Sequence, residues 1–115
     1  MLKIAREEDH YRVELFQVNR LNTLFSELVK KQLIDLVEQP GSSVLFNLQD
    51  IRFIDSAGFD VLREVAHRAR ESGSRFQLCN VSDDVRELLV LTQLEECFEL
   101  VSCNQTREKI LMVLD

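Results

Sequence analysis

The sequence predicts a single α/β domain built on a mixed, mostly parallel sheet. Short apolar segments with a period of two alternate with longer ones at helical spacing, as strands separated by helices require. Punctuation is sparse, and Pro40, Gly41, Gly58 and Gly73 fall at the borders of these segments. A chain of 115 residues, 45% hydrophobic and 30% charged, fits one globular domain spanning 1–115 and leaves no room for a second.

Each element has its own signal. Leu2 and Ile4 alternate with Lys3 and Ala5, and after a charged turn Tyr11, Val13 and Leu15 alternate with Arg12 and Glu14. The two runs, 2–5 and 11–18, read as an antiparallel strand pair. From Asn22 the period changes: Phe25, Leu28, Val29, Leu33, Leu36 and Val37 form a helical stripe, capped by Asn22 or Thr23 and ended by Pro40-Gly41. Val44-Leu45-Phe46-Asn47-Leu48 has the character of a central strand buried on both faces. A second helix opens near Ala57, carries Phe59, Leu62, Val65, Ala66 and Ala69 on one stripe, and closes at Gly73. Residues 75–79 alternate as a strand, and Ser82 or Asp83 caps a third helix with Val85, Leu88 and Leu89 inward. Residues 98–102 give one more strand, and a last helix carries Ile110, Val113 and Leu114. The expected order is β-β-α-β-α-β-α-β-α, with right-handed crossovers joining the parallel strands.

Composition removes several functions. With 14 Lys+Arg against 20 Asp+Glu the net charge is −6, the wrong sign for a protein that neutralises phosphates on a nucleic acid. No apolar run approaches the roughly 20 residues that span a bilayer, and acids early in the chain spoil a signal peptide, so a cytoplasmic protein without membrane insertion is expected. Cys79, Cys97 and Cys103 form an odd set without a C-x-x-C pair, and neither His10 nor His67 lies at ligand spacing from them. Reduced structural thiols, no metal and no cofactor are the expectation.

Catalytic groups are equally scarce. The three glycines build no dinucleotide or P-loop cradle. Ser56 sits at a strand-to-helix junction, yet Ile54-Asp55-Ser56-Ala57-Gly58 is not the G-x-S-x-G of a hydrolase. His67 follows on the same helix, which at about 1.5 Å per residue places it roughly 16 Å from Ser56, far beyond proton-transfer reach. No catalytic residue is assigned, and the chain reads as a non-enzyme.

The informative segment is V-L-F-N-L-Q-D-I-R-F-I-D-S-A-G-F-D-V-L, residues 44–62. A buried strand runs into a short loop, and a helix opens at Asp55-Ser56-Ala57-Gly58, with a small hydroxyl where free backbone N–H groups emerge. Either Asp55 or Ser56 can cap this helix. The segment resembles the signature of the STAS domain (sulphate transporter and anti-sigma antagonist), in which an apolar strand and loop lead into D-S-S/T-G-apolar. The resemblance covers nearly the whole chain in length and element order. It departs at Ala57, where a second Ser or Thr is usual, and at Asn19-Arg20-Leu21-Asn22, which replaces G-x-L-D. Asn tolerates the left-handed backbone that Gly would serve and can still cap.

The resemblance implies an anti-sigma factor antagonist, a partner-switching regulator of transcription. Ser56 would be the phosphorylated residue, the partner a kinase-like anti-sigma factor, and a phosphatase would reverse the modification. The implied partner surface comprises Phe53, Ile54, Asp55, Ser56, Ala57, Gly58 and Phe59, flanked by Asn22 and Thr23 and by Ser82 and Asp83. The alternative is a non-switching STAS subunit of a transport complex, such as a lipid-transporting ATPase.

Overall fold

The computed structural model describes residues 2–7, 10–15 and 17–102, with Leu24 described by its backbone only. In chain order it contains β1 (Leu2–Arg6), β2 (Tyr11–Leu15), β3 (Arg20–Leu21), α1 (Thr23–Val37), β4 (Ser43–Asn47), β5 (Phe53–Ile54), α2 (Ser56–Glu71), β6 (Arg75–Cys79), α3 (Asp83–Leu91), a 3-10 turn (Glu95–Cys97) and β7 (Glu99–Val101). The five-stranded sheet has the order β1-β2-β4-β6-β7. Its β1–β2 pair is antiparallel, and every later pairing is parallel.

Because the parallel strands follow chain order without reversal, right-handed crossovers carry α1, α2 and α3 over the same face. The core agrees. Val13, Phe46, Leu78 and Leu100 stand side by side across four strands. They join Val29 and Leu33 of α1, Leu62 and Val65 of α2, and Val85 and Leu89 of α3 in one apolar cluster. Phe46 is fully buried, its ring 6.4 Å from that of Phe76. Leu45 and Cys79 point the other way and form a smaller cluster with Val101.

One polar residue is buried at the carboxyl end of this sheet. Asn47 Oδ1 accepts from the Gln49 N–H at 2.9 Å and from Asn80 Nδ2 at 3.1 Å, while its own Nδ2 donates to Glu14 at 3.4 Å. A single amide thus ties β2, β4 and the loop after β6, satisfying the hydrogen-bonding demand that burial imposes.

The antiparallel pair, the parallel sheet and the three described helices follow the expected pattern, and three details differ. The second strand stops at Leu15 rather than at 18. Residues read as loop, 20–21 and 53–54, instead pair as a separate two-stranded parallel ribbon, β3–β5. Cys97 keeps a free thiol, but Cys79 is disulfide-bonded rather than reduced, a bond that no C-x-x-C spacing in the sequence signals. The helix expected around Ile110 lies outside the described residues, as does Cys103.

Candidate functional site

The D-S-A-G segment lies beyond the carboxyl end of β4, where open parallel sheets place their binding loops. The ribbon fixes it there. Arg52 N–H donates to Asn19 O at 2.8 Å, and Asp55 N–H donates to Leu21 O at 3.1 Å, bracketing the Phe53 and Ile54 pairings. Gly58 is what lets α2 start so close. A Cβ there would meet Leu21 O at 2.7 Å and Ile54 Cγ2 at 2.8 Å, inside any tolerable contact, so a side chain would force the helix start off the ribbon.

Asp55, not Ser56, is the N-cap of α2. Its extended backbone, φ −87° and ψ −178°, aims Oδ1 at the Gly58 N–H, 2.8 Å away. The other oxygen leaves the helix: Oδ2 accepts from the Thr23 N–H at 3.2 Å and from Thr23 Oγ1 at 3.3 Å. One carboxylate therefore joins the first turns of α1 and α2. Ser56 becomes the first helical residue, exposed, and its hydroxyl has no partner among the described residues. Both histidines are held by acids near them in sequence: His10 lies 3.0 Å from Glu7 and His67 3.4 Å from Glu71. Among the described residues neither imidazole is paired with Ser56.

The third loop closes against the same place. Ser82 caps α3, accepting from the Val85 N–H at 3.1 Å, and its hydroxyl donates to Ile51 O at 3.2 Å, which ties the turn after β6 to the loop before β5. Asp83 is exposed beside it, and Asp84 lies 3.9 Å from Arg52.

The expected partner surface divides on inspection. Phe53, Ser56, Thr23 and Asp83 are exposed, and Asp55, Ala57, Asn22 and Ser82 are half-buried. Ile54 and Phe59 are 2% and 5% exposed and belong to the core, and Gly58 is buried under Leu21. These three pack beneath the surface that the others form. Phe53, 46% exposed, is the one large apolar side chain of the set that reaches solvent, with Arg20 as its register neighbour on the ribbon. Thr23 as a donor to Asp55 went unread, because a contact across 32 residues leaves no local pattern. Among the described residues there is no cluster of three or more His, Cys, Asp or Glu fit to hold a metal, and no helix is long and apolar enough to cross a membrane.

A small α/β domain with a capped helix start presenting an unengaged serine is the class that fold and site define. The STAS domain family matches residues 7–110, and the chain belongs to that family. Solved structures agree in fold. An anti-sigma-factor antagonist (STAS) domain protein from Planctomyces limnophilus superposes with a TM-score of 0.78 at 22% identity, covering 99% of this chain and 98% of that one. The anti-sigma factor antagonist SpoIIAA in its unphosphorylated form gives 0.73 at 15% identity, with 96% of each chain covered. An anti-sigma factor antagonist from Mycobacterium paratuberculosis gives 0.73 at 14%, covering 100% of this chain and 94% of that one. A comparison with curated proteins gives no match.

Proposed function

We propose that the chain is an anti-sigma factor antagonist whose binding to a kinase-like anti-sigma factor is controlled by phosphorylation of Ser56. The observation that carries this reading is the exposed Ser56 hydroxyl, free of hydrogen bonds among the described residues, on the first turn of α2 beside the exposed Phe53. Several other serines are committed: the Ser82 hydroxyl caps α3, Ser42 donates to Leu36 O at 2.9 Å, and Ser26 is buried, while Ser43 and Ser72 are half-buried. Among proteins of the same fold, Bacillus SpoIIAA has a phosphorylated form, similar to this chain with a TM-score of 0.69 at 14% identity.

Charge makes the switch work. A phosphoryl group adds about −1.5 to −2 charge, which a helix N-terminus tolerates or favours by roughly 0.3–1 kcal/mol. The same group buried against a partner without a matching cation costs several kcal/mol. The domain can therefore carry the phosphate while the interface cannot. The protein acts by binding in the cytoplasm, without catalysis or cofactor, and a phosphatase resets it.

The test is to incubate the chain with the cognate anti-sigma kinase and ATP and map the modified peptide, then to compare affinities. Ser56→Ala should bind and resist modification, and Ser56→Asp should bind at least tenfold more weakly, about 1.4 kcal/mol. Modification confined to other serines, or equal affinity of all variants, would overturn the switch and favour a non-switching subunit of a transport complex.

A further inference from the structure

A phosphoryl group on Ser56 would arrive next to a carboxylate that is already shared between two helices, and the two shares are unequal. The Asp55 Oδ1 contact to the Gly58 N–H is 2.8 Å long and lies within one helical turn. The Oδ2 contacts to Thr23, at 3.2 and 3.3 Å, are longer, exposed and reach across 32 residues to α1. Negative charge on the adjacent residue repels the Asp55 carboxylate, and the weaker, solvent-screened arm yields first. Backbone contacts keep α2 itself in place, since Asp55 N–H remains on Leu21 O and Gly58 remains packed beneath it. The displacement therefore falls on the first turn of α1, whose own internal bonds begin with Asn22 O accepting from Phe25 and Ser26.

We propose that the Thr23–Asp55 contact is the release point of the switch, with Thr23 a positioning residue through which charge on Ser56 frees the start of α1 from the start of α2. This inference rests on the reading of Ser56 as the modified residue. It adds a second consequence to modification: the partner meets a repelling charge and also an altered edge at Asn22 and Thr23.

The Thr23 amide proton reports the contact directly, so hydrogen exchange followed by NMR on the isolated full chain is the test. Three forms are compared: phosphoserine installed at position 56, Ser56→Asp, and the neutral Ser56→Asn. The Thr23 amide should exchange at least tenfold faster in the two charged forms than in Ser56→Asn, while the Gly58 amide keeps its protection in all three. Equal Thr23 exchange in charged and neutral forms would overturn the proposal, and so would joint release of Thr23 and Gly58. Because no partner is present, a negative result here leaves the anti-sigma reading untouched, and failure of the kinase experiment leaves this coupling measurable.

Discussion

Helices α2 and α3 begin in similar places and use serine in opposite ways. Both follow a parallel strand, both are capped by a side chain that accepts from the third amide of the helix, and both have a serine at the junction. In α3 the serine is the cap, and its hydroxyl is used twice, accepting from Val85 and donating to Ile51. In α2 an aspartate takes the cap, and the serine is displaced by one residue into solvent. The first turn of α3 carries Asp83 and Asp84 against its macrodipole, and that of α2 carries no acid beyond its cap. A one-residue shift thus separates a structural hydroxyl from an available one, and it leaves the available one at a helix end still able to receive negative charge.

The comparison breaks most severely at Gly58, which has no counterpart at the start of α3. Gly58→Ala should destabilise the domain by about 1–3 kcal/mol in chemical denaturation, because the added Cβ meets the Leu21 backbone rather than a flexible side-chain tip. A neutral result would show that α2 can lift off the ribbon without loss.

The serine pair gives the sharper contrast. Ser82→Ala removes a cap and leaves Ile51 O without its donor, so a loss of about 0.5–2 kcal/mol is expected. Ser56→Ala should stay within about 0.5 kcal/mol of the parent chain, as surface substitutions do. Similar losses at the two positions would erase the distinction between them.

The smallest effect lies away from both helix starts and serves as their control. Hydrogen bonds from Arg75 first, and from Gln77 second, hold the Glu99 carboxyl below the usual carboxylate range. A carboxyl lowered on folding contributes stability that is present above its ordinary range and lost as pH falls through the lowered value. Arg75 and Glu99 are exposed and Gln77 is half-buried, so Glu99→Gln should cost no more than about 1 kcal/mol at neutral pH, with the difference vanishing in acid. A difference that persists in acid would assign the effect to packing.

Much of this was legible in the sequence where a period existed to be read. Residues 75–79 alternate cleanly and form β6, and the stripe from Phe59 to Ala69 faces the core as its spacing requires. That same stripe already placed Phe59 inward, so counting it in a partner surface gave one side chain two incompatible positions. Ile54 was misread because its neighbour in space is Leu21, and β3 and β5, at two residues each, are too short to show alternation. The choice between Asp55 and Ser56 as cap was open for a related reason. Both residue types cap well, and the decision rests on Thr23 arriving from α1 to use the second carboxylate oxygen.

The ribbon of residues 20–21 and 53–54 also bears on what a modifying enzyme would have to recognise. Cut from the domain as a short peptide, the D-S-A-G sequence would keep its serine but lose Leu21, Thr23 and Ser82, which come from distant parts of the chain and fix its shape. Such a peptide falls below the length at which isolated helices persist in water. The fixed placement of that hydroxyl is thus a property of the assembled surface rather than of a linear motif. On the proposed reading, a kinase that recognises this fixed geometry would act on the folded domain and pass over unfolded copies carrying the same four letters.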